Sequence, residues 1–156
     1  MISLIVAMDK NRVIGNRGEM PWVIPSELSY FKEVTQNTSV VMGRKTFETI
    51  GKVLDERENI IVTTDKNYKV PRCKVANSLA EAFSMATKEI FVIGGASIYK
   101  QAIPFVDRFY ITEIEKEFEG DTTFPEVDLE PFEKKEIKRV TSGIPYTCFV
   151  YERKIK

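Results

Sequence analysis

Glu89-Ile90-Phe91-Val92-Ile93-Gly94-Gly95-Ala96-Ser97 decides the architecture. Its run of Ile90, Phe91, Val92 and Ile93 leaves no polar face, as expected of a strand buried on both sides in a parallel sheet covered by helices. Two glycines then break the strand, and Ala96–Ala102 takes up helical spacing. Working outward, Ser39–Gly43 running into Arg44–Ile50 repeats the arrangement. Ile2–Met8 is another buried strand, with Asn59–Thr63 and the weaker Cys73–Ala76 beside it in type. Pro25–Thr35 and Ser78–Ala86 are helical. Arg108–Ile114 is a strand, and Phe132–Val140 with Tyr146–Lys154 alternates enough to predict an antiparallel hairpin. These elements predict an α/β fold in a single domain over residues 1–156. The central sheet is mainly parallel with an antiparallel C-terminal edge, and helices lie on both faces.

The chain has 156 residues, enough for one compact core without staples. Lys+Arg and Asp+Glu both number 23, and this balance argues against nucleic-acid or membrane-surface partners, which need a basic excess. The absence of histidine removes imidazole bases, Ser-His and Cys-His pairs and His-ligated metals together, so no metal is expected. Cys73 and Cys148 are far apart and fall in no C-x-x-C pair, as in reduced, half-buried thiols of a cytoplasmic protein. Ile2–Met8 lacks a preceding basic region and is a core strand, not a signal peptide. From Glu113 to Glu130 the acidic residues outnumber Lys116 alone, consistent with a solvated rim, since the spacing suits no calcium loop.

Gly43-Arg44-Lys45-Thr46 and Gly94-Gly95-Ala96-Ser97 each follow a strand and open a helix. Glycine allows close backbone approach, and unpaired N–H groups at a helix start favour anions. Either turn alone is more often an ordinary tight turn. Together, at the carboxyl ends of strands, they suit a ligand with several phosphates, such as a dinucleotide. Neither matches G-x-G-x-x-G, and Gly51-Lys52 fails as a Walker loop.

Glu27 follows Pro25 in the first turn of a helix and has Tyr30 and Phe31 at i+3 and i+4. Two readings stand side by side. One is a solvated first-turn carboxylate. The other is a carboxylate in an apolar pocket, able to hydrogen-bond an amidine-like ligand and assist a proton transfer. Trp22, the sole tryptophan, ends the turn-rich loop Asn16-Arg17-Gly18-Glu19-Met20-Pro21, which is either a lid or a long connection anchored by that ring.

Ile2–Ala7, Arg12–Gly15, Met20-Pro21-Trp22, Val41–Arg44, Gly51 to Arg57, Val92–Gly95, Ile98-Tyr99, Tyr110–Thr112, Glu119–Thr122 and Phe124-Pro125 occur in this order. In this set the chain resembles dihydrofolate reductase of the bacterial type, over essentially its whole length, with short length differences near residues 65–75 and 86–89. The resemblance implies reduction of dihydrofolate by NADPH in the cytoplasm, by a monomer that diaminopyrimidine or pteridine antifolates would inhibit. It makes Glu27 the pteridine-binding carboxylate, with Thr112, Trp22 and the lid residue Met20 assisting. Many members carry Asp where Glu27 stands, and the longer side chain, by roughly one C–C bond of 1.5 Å, would shift the ring or helix slightly.

The same resemblance gives the folate pocket as Ile5, Val6, Ala7, Leu28, Phe31, Lys32, Ile50, Leu54 and Ile93, with Arg57 pairing with the glutamate tail. Asp55-Glu56 replaces a Pro-Gly turn before Arg57. The NADPH site would draw on Ala7, Ile14, Gly15, Met20, Gly43, Arg44, Lys45, Thr46, Thr63, Thr64 and Thr122. Gly94, Gly95, Ala96, Ser97, Ile98 and Tyr99 would cover the pyrophosphate and nicotinamide, with a cis peptide within the double glycine. Asp121 would help hold the lid. Ser97 in place of a basic residue, and Asp65 after the threonines, would soften the preference for NADPH over NADH, with Lys45 and Lys66 compensating. Two rival readings are reduction of a related pterin or pyrimidine, which would make Arg57 dispensable, and nucleotide binding without catalysis, which would leave Glu27, Thr112 and Trp22 without a task.

Overall fold

The computed structural model describes residues 1–154; Ile155 and Lys156, included in the single-domain expectation, lie outside the described residues. The strands are β1 (Ile2–Met8), β2 (Val13–Gly15), β3 (Ser39–Gly43), β4 (Glu58–Val62), β5 (Cys73–Ala76), β6 (Ile90–Gly94), β7 (Arg108–Ile114), β8 (Thr122–Thr123), β9 (Phe132–Val140) and β10 (Tyr146–Arg153). The helices are α1 (Pro25–Thr35), α2 (Arg44–Ile50), α3 (Leu79–Met85) and α4 (Ala96–Ala102), with a 3-10 turn after α4 at Ile103–Phe105. Eight strands form one sheet in the order β5-β4-β3-β6-β1-β7-β10-β9. All neighbours from β5 to β7 run parallel, and β10 is antiparallel to both β7 and β9. The expected mainly parallel sheet with an antiparallel C-terminal edge is therefore present.

Alternation along β1 divides the core. Leu4, Val6 and Met8 face one side with α3 and α4 residues Leu79, Ala82, Ile98 and Ala102. Ile5 faces the other, with Phe31 and Val34 of α1 and Phe47 and Ile50 of α2. Helices thus cover both faces, and burying each of the larger aliphatic or aromatic side chains among these is worth roughly 1.5–3 kcal/mol. Local chemistry sets the helix ends. Pro25 occupies the first turn of α1. At the C-terminus of α2, Gly51 takes a left-handed φ of 78° and its N–H reaches Phe47 O. The Ser78 hydroxyl accepts from Glu81 N at the start of α3.

The short β2 and β8 pair outside the main sheet carries no signal in the sequence. Gly120 makes it possible: a Cβ there would lie 2.2 Å from Val13 Cγ1 and 2.7 Å from Gly15 O.

Candidate active site

Ala7, Thr112 and Cys148 sit side by side across β1, β7 and β10, because Ala7 pairs with Thr112 and Thr112 with Cys148. The first turn of α1 brings Glu27 to this row. Glu27 is only 6% exposed, so the solvated reading of its carboxylate is excluded. Burial pushes its carboxyl up to about 7, against the opposing pull of a hydrogen bond from the Thr112 hydroxyl. Thr112 Oγ1 also meets Cys148 Sγ at 3.5 Å. Cys148 is fully buried, which corrects the expectation of a half-buried thiol, and burial raises its pKa. Cys73 is partly buried as expected, and both cysteines are free.

Behind this row Trp22, 4% exposed, packs with Ile24, Ile114, Tyr146 and Cys148, and its ring lies 5.2 Å from that of Phe118. Its Nε1–H is buried without a partner among the described residues. A buried donor in this state favours a polar group brought by a ligand or solvent.

An apolar wall adjoins the carboxylate. Ile5, Leu54 and Ile93 are buried in one cluster, with Phe31 and Ile50 packed against it. Five expected pocket residues therefore meet. Val6 does not join them: a one-residue step along a strand turns its side chain to the opposite face, among Leu4, Val41 and Val92. Leu28 is 43% exposed and Lys32 is exposed on the outer side of α1. Arg57 is held at the end of the wall, with Nε donating to Asp55 O at 2.9 Å and Nη1 to Thr35 Oγ1 at 3.2 Å. Partial burial lowers its pKa, while Asp55 and Glu56 oppose that effect.

The two glycine turns come together because β3 pairs with β6 and Met42 faces Gly94. The Gly94–Gly95 peptide is cis, and Gly94 has φ +126°. A Cβ on Gly95 would sit 3.2 Å from Thr46 Oγ1, and one on Gly43 would sit 3.1 Å from Ile98 Cγ1. Arg44 projects from this junction under tight restraint. Its Nε is 3.3 Å from Glu48 Oε2, its Nη1 3.3 Å from Asp65 Oδ2, and its guanidinium carbon 4.3 Å from the Tyr68 ring centre. Thr63 Oγ1 accepts from Asp65 N, and Lys45 and Thr64 are exposed nearby in sequence. Tyr99 is buried with Ile98, and its hydroxyl donates to Ile5 O at 2.8 Å. Ala96 is partly buried, whereas Ser97 is exposed and lines a groove with Lys100, Pro104 and Glu126.

Met20 is 48% exposed on the connection from β2 to α1. That connection is tied twice near its β2 end: Thr49 Oγ1 donates to Gly18 O at 3.1 Å, and Arg17 N donates to Asp121 Oδ2 at 3.0 Å. The Arg17 N–H and the Thr122 hydroxyl hold the Asp121 carboxyl below its ordinary value. Ile14 and Gly15 are partly buried in β2, and Gly15 pairs with Thr122 of β8. Sequence reasoning passed over Asp9, which is 2% exposed just after β1. The available signal was a charged residue ending an apolar strand with Asn11 two positions on, the spacing of a side chain closing its own turn.

A family model described as dihydrofolate reductase matches residues 1–153. A dihydrofolate reductase of Staphylococcus haemolyticus is 42% identical over 158 residues, covering 97% of this chain and 95% of that one. One from Bacillus subtilis (strain 168) is 42% identical over 160 residues, covering 99% and 95%. Among solved structures, the dihydrofolate reductase from Enterococcus faecalis complexed with NADP(H) and RAB-propyl superposes with a TM-score of 0.90 at 35% identity, over 98% of this chain and 96% of that one.

Proposed function

The chain belongs to the dihydrofolate reductase family, and we propose how its residues divide the work. It reduces 7,8-dihydrofolate to 5,6,7,8-tetrahydrofolate with NADPH. The observation that carries the assignment of roles is Glu27, a buried carboxyl raised to about 7 between an apolar wall and the Thr112 hydroxyl. A pterin ring presents an amidine-like edge, an amino group beside a ring N–H, which one carboxylate accepts in two parallel hydrogen bonds. Ile5, Phe31, Ile50, Leu54 and Ile93 enclose the flat ring and exclude water. Glu27 binds and orients the ring and favours protonation at N5, which draws its proton from solvent. Arg57 offers the α-carboxylate of the glutamate tail the planar fork that its own contacts leave in place.

The residues present fit NADPH. Glycine at 43 and 95 lets the turns after β3 and β6 close on Ile98 and Thr46, which sets the Gly43–Thr46 and Gly94–Ser97 turns side by side to share one polyphosphate. Arg44, Lys45, Thr46, Thr63 and Thr64 supply cations and hydroxyls for its phosphates, while Ala7, Ile14, Gly15, Met20, Ala96, Tyr99 and Thr122 border the nicotinamide end. When bound, NADPH supplies the hydride that is added to C6. Antifolates of the diaminopyrimidine or pteridine type compete for Glu27 because they carry the same donor edge. The whole chain acts as one domain and as a monomer, and its free cysteines suit a reducing cytoplasm.

Purified protein mixed with NADPH and dihydrofolate should lose nicotinamide absorbance, and Glu27→Gln should slow this at neutral pH. No turnover by the pure protein, or undiminished turnover in the variant, would overturn the assignment.

A further inference from the structure

Asp9 is a buried carboxylate that the reaction does not use. Its Oδ1 accepts from Asn11 N and Val13 N, both at 2.8 Å, which closes the corner from β1 into β2. Its Oδ2 accepts from Phe118 N at 2.8 Å, more than a hundred residues on. Two N–H groups of one segment and one of another are thus satisfied by a single side chain at 2% exposure. Both clasped segments lead to the carboxylate site. Asp9 directly extends β1, whose Ala7 pairs with Thr112. Phe118 carries the ring that packs on Trp22, in the cluster that includes Ala7, Tyr30 and Cys148 behind Glu27. We propose that Asp9 is a positioning residue: it locks the backbone of Phe118 to the end of β1 and so fixes Trp22 against the floor of the Glu27–Thr112 site. It touches neither substrate nor cofactor, and acts through Phe118 and Trp22. Its consequence for turnover rests on the proposed role of Glu27 and Thr112 as the pterin site.

Chemistry makes the claim selective. An amide at position 9 has only one acceptor oxygen. Asp9→Asn therefore satisfies the β1–β2 corner and turns its NH2 group toward the Phe118 N–H, or the reverse; it cannot serve both. Trp22 is the only tryptophan, so its fluorescence reports this position without labelling.

For Asp9→Asn in the full chain, we expect red-shifted tryptophan emission and acrylamide quenching increased at least twofold. Single-turnover hydride transfer should fall about tenfold, while the Kd for NADPH changes less than twofold. Phe118→Leu, which keeps the backbone N–H, should give the same emission change and the same fall in transfer rate, and the double variant should be no worse than the more affected single one. Emission and transfer rate within twofold of the parent in folded Asp9→Asn, or additive effects in the double variant, would overturn the proposal. Should Asp9→Asn not fold, Phe118→Leu decides alone: a transfer rate within twofold of the parent would overturn it. Absence of dihydrofolate turnover in the parent would remove the catalytic role of Glu27, while the emission measurements would still decide whether Asp9 places Trp22.

Discussion

At Glu27 two effects of opposite sign meet: loss of water around the carboxylate raises its pKa, and the Thr112 hydroxyl lowers it. Burial wins, leaving a value of about 7 against an ordinary 4.5. The folded state therefore holds a proton that the unfolded chain releases. Its contribution to stability is fully present below pH 4.5 and is lost as pH rises to about 7, a swing of about 3 kcal/mol. Glu27→Gln should remove that swing, so urea unfolding should find the variant more stable than the parent by about 1–3 kcal/mol at pH 8. The gap should close as pH falls below 7. Activity moves the other way: kcat/KM for dihydrofolate should drop about a hundredfold or more in the variant, in the usual range for a lost acid–base group. Because the reaction takes up a proton, the parent's rate should decline above about pH 7. The residual rate of the variant should show no break there.

At the level of elements, what could be read in advance was what has a period. β1, β3 and β6 announce themselves through unbroken apolar runs, and α1 through the spacing of Glu27, Tyr30 and Phe31. β2 and β8 have too few residues to show any period, and they pair because Gly120 leaves room for Val13. The face of α1 that carries Glu27 was legible. What covers it was not, since Thr112 and Cys148 arrive on distant strands and their row depends on register. The resemblance supplied the role of Thr112, but neither Asp9 nor the depth of Cys148. At the start of α2 the same distinction gives a test. Asp65 was visible as an acidic departure, but its pairing with Arg44, shared with Glu48, emerges only when β4 and α2 are placed together. A guanidinium already facing two carboxylates has less to offer a 2′-phosphate. Both partners are about half exposed, and such pairs are worth roughly 0.2–1 kcal/mol. Asp65→Asn should therefore raise kcat/KM for NADPH about threefold and leave that for NADH unchanged, as measured by paired steady-state assays.

On the scale of the whole molecule, a sheet with two free edges has to avoid joining another copy. β5 has only four residues, and β9 lines the other edge with exposed Glu133, Lys134, Lys135, Glu136, Lys138 and Arg139. Charged and short edges oppose strand addition, so light scattering should return a single species near 17.9 kDa. Within the sheet, one carboxylate spans the half that carries the glycine turns. Glu58 Oε1 accepts from Ser39 Oγ at 2.6 Å and Thr87 N at 2.9 Å, and Oε2 accepts from Thr87 Oγ1 at 2.9 Å and lies 2.8 Å from Lys74 Nζ. It thereby joins β3, β4, β5 and the connection between α3 and β6. Burial acts to raise its pKa, but Lys74, Ser39 and Thr87 outweigh that and hold it at about 2. With the folded value below the ordinary 4.5, the stabilisation is complete above pH 4.5 and is lost as pH falls toward 2. Removing the acceptor leaves the buried Ser39 hydroxyl and the Thr87 N–H without it, a loss of about 1–3 kcal/mol. In thermal unfolding at pH 7, Glu58→Ala should melt about 5 °C below the parent. Between pH 4.5 and 2 the two melting curves should converge, because protonation removes from the parent the charge that substitution has already removed from the variant. A constant gap across that range would mean that Glu58 acts by packing alone.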